Sequence, residues 1–405
     1  MKLLFRTTLF TVVLLMLFSA VVAAQAPTAN PAGCIAADAF DPSLDYFPDK
    51  ATFSEAEDLQ VEYFNSYKVV TVSDAFDGSA PFTYVLVNCG APLPAADELP
   101  EGALVIEVPV QRVIVLSTTL LPHLARLGVS ESVIGVDSFL YLSDPDLRAR
   151  IEAGEVSEVG GGSMINVEQT IDLEPDVVLA YGFIPEYDAH PLLLDAGVTT
   201  VLSADWREAT PMGRAEWIKF VALFYNAEAA AEELFNESLQ NYQDAITLVS
   251  EVPAAEWPVV LWNSFSPYTN SWTIPGAQTY AARLIHDAGA KIALGELAPT
   301  TSLESSFEVI YEGAVDADLW VLNAFAIGTL DDFLAQDERY TDFAPVQNGS
   351  VWNNDNDVNA NGGNNFYELG AAQPELVLQD LIAIFHPNLL PDHEMRFFRL
   401  LEPAQ

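Results

Sequence analysis

The residue types that do chemistry are present in this chain without the spacing that chemistry requires. Its five histidines are His123, His190, His286, His386 and His393, and no two lie three to five residues apart. No helix or hairpin can therefore offer a local imidazole pair to a metal, and a metal site would need distant histidines to converge in the fold. Carboxylate pairs carry no diagnostic weight for glycosidase-type chemistry, because 58 acidic residues always allow some pairing. The chain has no G-x-x-x-x-G-K-[ST] loop, no G-x-S-x-G elbow and no H-E-x-x-H helix. Gly160-Gly161-Gly162 lacks the spacing of a dinucleotide fingerprint and reads as a tight turn. These absences point away from an enzyme.

Residues suited to binding are arranged more tellingly. Ser117 and Thr118 follow the β-branched run Arg112–Leu116, and Tyr181 and Phe183 follow Val177–Ala180. Trp206 and Arg207 follow Val201-Leu202. In the second half Asn263 follows Val259–Trp262, with Tyr268 and Trp272 close behind, and Asn323 and Phe325 follow Leu319–Leu322. Ligands of open α/β sheets sit beyond the carboxyl ends of parallel strands. Two such edges facing each other form a cleft, and these eleven residues are its candidate walls.

The elements that must hold them follow from periodicity. From Val105 onward short β-branched runs alternate with helical stretches, the pattern of βαβ units on a parallel sheet. The stretch from about Arg214 to Val249 has no proline or glycine and repeats apolar residues at helical spacing, which predicts one long helix. A second α/β series follows from Val259 to the helix Pro374–Phe385. Before all this, Val61–Tyr63, Tyr67–Val72 and Thr83–Val87 read as strands separated by Asn65-Ser66 and Asp77-Gly78 turns.

Export is written at the start. Lys2 and Arg6 precede an apolar run from Leu9 to Val22, and Val22-Ala23-Ala24 offers a signal-peptidase site. The organisation expected is a signal peptide over 1–24, then a tether and β-rich extension over 25–104. An α/β lobe over 105–213, a helix over 214–249 and a second α/β lobe over 250–405 complete it. The net charge of −42 repels nucleic acid and anionic lipid. In an oxidising compartment the two cysteines, Cys34 and Cys89, read as one disulfide. It would close a loop of roughly 55 residues, worth about 4 kcal/mol by chain entropy. The competing reading makes Cys34 a lipid-anchored N-terminus, since Pro31-Ala32-Gly33 supplies small residues before it.

From about Val108 to Leu401 the chain resembles a class III substrate-binding protein of ABC importers, the group serving ferric siderophores, haem and cobalamin. The stretches that carry the resemblance begin with Arg112–Ser117, Leu127-Gly128-Val129, Val133–Asp137 and Val159-Gly160. They continue with Asn166-Val167-Glu168, Leu173–Val178, Ala196-Gly197-Val198, Ala288-Gly289-Ala290 and Ile384–Pro387. The resemblance implies two Rossmann-like lobes joined by a single long helix. It also implies a periplasmic or outer-face location, a ligand in the cleft and an ABC permease as membrane partner. Glu168 and Glu308, one on each lobe, match the family's permease-docking glutamates. Arg207 is the sole basic residue among the candidate cleft residues, so a neutral or weakly charged chelate, such as a hydroxamate-type iron complex, fits better than an anionic catecholate or citrate complex. A monomer with no cofactor is expected, iron arriving only inside the chelate. The alternatives are a corrinoid or haem receptor, a bare metal-ion receptor, or an extracytoplasmic hydrolase.

Overall fold

A computed structural model describes residues 26–36, 38–266 and 269–404. The expected signal peptide and Tyr268 lie outside the described residues.

The extension forms its own four-stranded sheet from β1 (Leu59–Tyr63), β2 (Tyr67–Val72), β3 (Phe82–Asn88) and β4 (Leu104–Val108). The first three strands are antiparallel, as the turn residues between them imply, and β4 joins in parallel to β3. The first lobe therefore begins after β4, a few residues beyond the boundary expected at 105. Cys34 and Cys89 are joined by a disulfide, which occupies the thiol that the competing reading would lipidate.

The first lobe is a parallel sheet of β5 (Val113–Val115), β6 (Val133–Val136), β7 (Ser157–Glu158), β8 (Val177–Tyr181) and β9 (Thr200–Ser203), in the order β7-β6-β5-β8-β9. The order reverses between β5 and β8, so the loops after those strands open a crevice. Helices α1 (Leu121–Arg126), α2 (Pro145–Glu152), α3 (Val167–Asp172) and α4 (His190–Asp195) make the crossovers. The three glycines form a turn: Gly160 sits at φ 76°, and a Cβ there would lie 2.8 Å from the Met164 carbonyl oxygen.

The predicted long helix is two helices, α5 (Pro211–Leu223) and α6 (Glu228–Val249). They part at Asn226, which takes φ 56°, a left-handed conformation that asparagine tolerates. Local bonds close α5, the Ala227 N–H donating to the Ala222 carbonyl, and the extension braces the break. Lys68 of β2 reaches the break and donates to the Leu223 carbonyl (2.7 Å), to Asn226 Oδ1 (2.9 Å) and to Glu228 Oε1 (2.6 Å). Asn226 Nδ2 donates in turn to Asn88 Oδ1 and to the Pro31 carbonyl. The extension thus supplies the partners that helix ends lack.

Only α5 lies between the lobes, and it is buried on nearly every side. Trp217, Phe220, Val221 and Leu223 belong to the core of the first lobe, while Met212, Ala215, Ile218 and Ala222 belong to that of the second. A helix apolar around its circumference has no solvent face. The extension shares the first lobe's core through Leu59, Val70, Val72, Tyr84 and Leu86. It is also strapped to α5, because Glu216 accepts from the backbone N–H groups of Ser54, Glu55 and Ala56.

The second lobe has a main sheet in the order β13-β10-β15-β16-β17. Its strands are β10 (Val259–Trp262), β13 (Lys291–Ile292), β15 (Leu319–Leu322), β16 (Val351–Asn353) and the antiparallel edge β17 (Arg399–Leu400). Beside it β11 (Phe265–Ser266), β12 (Ser271–Ile274) and β14 (Leu303–Ser305) form a small antiparallel sheet. Its helices are α7 (Tyr280–Asp287), α8 (Phe307–Ala314), α9 (Leu330–Leu334), α10 (Ala344–Asn348), α11 (Leu369–Ala372) and α12 (Pro374–Phe385).

Candidate ligand-binding site

The strand ends of both lobes meet around a cavity of about 440 Å³. From the first lobe come Thr119, after β5, and Asp205 and Trp206, after β9. From the second come Trp262 and Asn263 at the end of β10, Asn323 after β15 and Asn354 after β16. Tyr280 at the start of α7 and the loop residues Phe366 and Tyr367 add aromatic faces. Arg214 enters from α5 at the base. The cavity continues into two neighbouring volumes, of about 440 and 870 Å³, through Asn263, Asn323, Asn354 and Tyr367.

Local forces fix these groups. Ser117 Oγ lies 2.9 Å from Thr119 Oγ1, and that hydroxyl donates to Asp205 Oδ2 at 2.6 Å. Phe183 meets Trp206 edge-on, with centroids 5.6 Å apart. Asn263 takes φ 75° and its backbone carbonyl accepts from Trp320 Nε1 at 2.9 Å, tying the end of β10 to the core. Tyr367 donates to Asn323 Oδ1. The Arg214 guanidinium lies 4.1 Å from the centre of the Tyr280 ring and donates to the carbonyls of Trp206 (2.8 Å) and Glu208 (3.2 Å). Burial pushes the Tyr280 phenol up to about 12 despite the nearby guanidinium.

Of the eleven candidates from the sequence, Trp206, Asn263 and Asn323 line this cavity, and Phe325 lines both neighbouring volumes. Ser117 supports the wall through Thr119, and Phe183, largely exposed, touches Trp206 from the surface. Thr118 lies half-buried in the turn after β5, and Tyr181 is exposed at the end of β8. Two placements differ from expectation. Arg207 does not line the cavity: it lies over the Trp206 ring, 5.3 Å from its centre, and is held there by Asp74 (2.6 Å) and Asp77 (2.9 Å) of the extension, which engage its charge. Trp272 is only 2 % exposed and packs against Trp320, Phe307 and Tyr340, because alternation along β12 points Trp272 and Ile274 into the core.

Several wall residues escaped sequence reasoning. Asn354, Phe366 and Tyr367 belong to the Asn- and Gly-rich segment after β16, which the strand-end rule would have found. Arg214 and Tyr280 sit at helix starts and carried no such signal. Glu168 and Glu308 are both exposed in the first turns of α3 and α8, where a carboxylate is favoured by the helix dipole. The Glu308 carboxyl is held below its ordinary value by hydrogen bonds from the turn's backbone and Ser306. His123 is buried, which depresses its basicity to about 3. Among the described residues no three His, Cys, Asp or Glu side chains gather as metal ligands, and no helix is long and apolar enough to cross a membrane.

Comparison with known proteins gives this geometry a context. The profile of a family described as periplasmic binding protein matches residues 113–358. An uncharacterised lipoprotein of Methanocaldococcus jannaschii is 28% identical over 329 residues, covering 78% of this chain and 75% of that protein. A possible iron-binding periplasmic solute-binding protein from Staphylococcus epidermidis superposes with a TM-score of 0.53 at 18% identity, covering 69% of this chain and 99% of that one. A periplasmic haem-binding protein from Pseudomonas aeruginosa gives 0.51 at 19% identity, covering 69% and 93%.

Proposed function

Because the chain belongs to the periplasmic binding protein family, a family of extracytoplasmic binding proteins rather than enzymes, we propose that it is the receptor of an ABC importer for a ferric hydroxamate chelate. The observation that carries this reading is the composition of the wall. Trp206, Trp262, Tyr280, Phe366 and Tyr367 offer aromatic faces, and Asn263, Asn323 and Asn354 offer amides. Such a surface suits a compact ligand whose metal is already saturated by its own chelator. The single guanidinium, that of Arg214, is already engaged by two carbonyls and a ring, so no cluster of cations awaits an anionic complex. The receptor acts as a monomer, carries iron only as part of its ligand, and presents Glu168 and Glu308 to the arginines of a permease.

The test is a titration of the mature protein with ferric hydroxamate, catecholate and citrate complexes, followed by tryptophan fluorescence. Trp206 and Trp262 in the wall make saturable quenching by the hydroxamate the expected result, with citrate silent. Silence across all three classes refutes the reading. A haem receptor is the second possibility, since tyrosine can hold haem iron and two phenols line the cavity. The engagement of both hydroxyls, Tyr280 with the Gly370 carbonyl and Tyr367 with Asn323, disfavours it, and absorbance after incubation with haem and gel filtration separates the two readings.

A further inference from the structure

The wall holds one buried carboxylate oxygen that no protein donor answers. Asp205 is 4 % exposed and lines the cavity. Its Oδ2 accepts from Thr119, while its Oδ1 is buried with no hydrogen-bond partner. A buried carboxylate oxygen left unpaired is costly, and natural sites keep such a group when something else supplies the donor. The adjacent Trp206 Nε1 is likewise buried and unpartnered.

The nearby cations are already engaged. Arg214 gives its hydrogen bonds to the Trp206 and Glu208 carbonyls and its face to Tyr280, and its one positive charge is shared between two carboxylates, Asp205 and Glu208. Arg207 is bound by Asp74 and Asp77. The unspent charge in the cleft is therefore negative, beside one unspent N–H donor.

From this we infer that the ligand carries a protonated amine directed at Asp205, with an acceptor such as an amide carbonyl beside it for Trp206 Nε1. The inference rests on the hydroxamate reading above and specifies its class: a chelate whose metal-binding part is neutral and whose chain ends in a cationic ammonium. An anionic chelate would set like charges together at Asp205, and a wholly neutral one would leave the carboxylate's free oxygen unanswered.

The experiment uses ferrioxamine B, a linear ferric trihydroxamate ending in a primary ammonium, and its N-acetylated neutral form. Both are titrated into the mature protein at about 0.3 M salt, where the attraction of the acidic surface for any cation is screened. The wild type is expected to bind the ammonium form about tenfold to a hundredfold more tightly, as hydrogen bonds to charged groups imply. Asp205→Asn, which preserves shape, should abolish that preference. Thr119→Val, which frees the carboxylate without removing its charge, should weaken the preference only in part, and circular dichroism checks that both variants are folded. Equal affinities of the two forms for the wild type overturn the inference and leave the chelate reading standing. An undiminished preference in Asp205→Asn overturns it too. Binding of neither form refutes the hydroxamate reading and takes this inference with it.

Discussion

Replacing Lys68 by methionine should cost the protein about 4 kcal/mol of stability. The side chain is fully buried, and its ammonium donates to the Leu223 carbonyl, Asn226 and Glu228. Glu228 is equally buried, with Asn30 Nδ2 as its other partner at 2.8 Å. Methionine fills similar volume, so the loss is electrostatic. Removing one partner of a buried ion pair leaves the other uncompensated, at about 3–5 kcal/mol. At roughly 2.1 cal/mol/K per residue over about 380 residues, 4 kcal/mol lowers Tm by about 5 °C. Urea unfolding of the mature protein, read by tryptophan fluorescence and circular dichroism, measures the change. Lys68→Met with Glu228→Gln should be more stable than Lys68→Met alone, since the stranded charge is then gone. A single-variant loss below about 1 kcal/mol, or strict additivity in the double variant, would refute the claim that this pair clamps the helix junction.

Other outcomes follow from the same structure. Burial raises the Glu368 carboxyl to about 8, with Ser143 of the first lobe donating to it across the cleft at 3.2 Å. A carboxyl raised in the folded state favours folding most at low pH, so its contribution should shrink as pH climbs from about 4.5 through about 8. Glu368→Gln should flatten that part of a thermal-stability profile. Replacing Cys34 and Cys89 by alanine should cost about 4 kcal/mol by loop entropy, and reductant should lower the wild-type melting temperature but not the variant's. Glu168→Ala combined with Glu308→Ala should leave ligand affinity unchanged and stop delivery in a reconstituted uptake assay; normal uptake would remove both residues from the docking surface.

The sequence made the strands legible because they are short β-branched runs bounded by turn residues, and Val133–Val136 and Val259–Trp262 fall where that pattern ends. The break between α5 and α6 was illegible because asparagine marks a left-handed cap less plainly than glycine, and because its brace, Lys68, lies about 155 residues upstream of Leu223. Arg207 misled for the same reason, since Asp74 and Asp77 stand more than 100 residues away in the chain. Trp272 misled differently. It follows a strand end in sequence but sits in a strand of its own, whose alternation turns it inward. Trp206, Asn263 and Asn323 follow their strands directly and reach the cavity wall, because there the chain leaves the sheet at once.

The shared helix α5 has a consequence for exchange rates. A swing of one lobe against the other would pull Trp217 and Phe220 from one core or Ile218 and Ala222 from the other. Packed interiors resist such partial withdrawal. The unliganded cleft therefore has little amplitude to explore, and capture is governed by diffusion into a standing site. Residence time is then set by the grip of the walls, so substitutions at Trp206 or Asp205 should register mainly as faster dissociation.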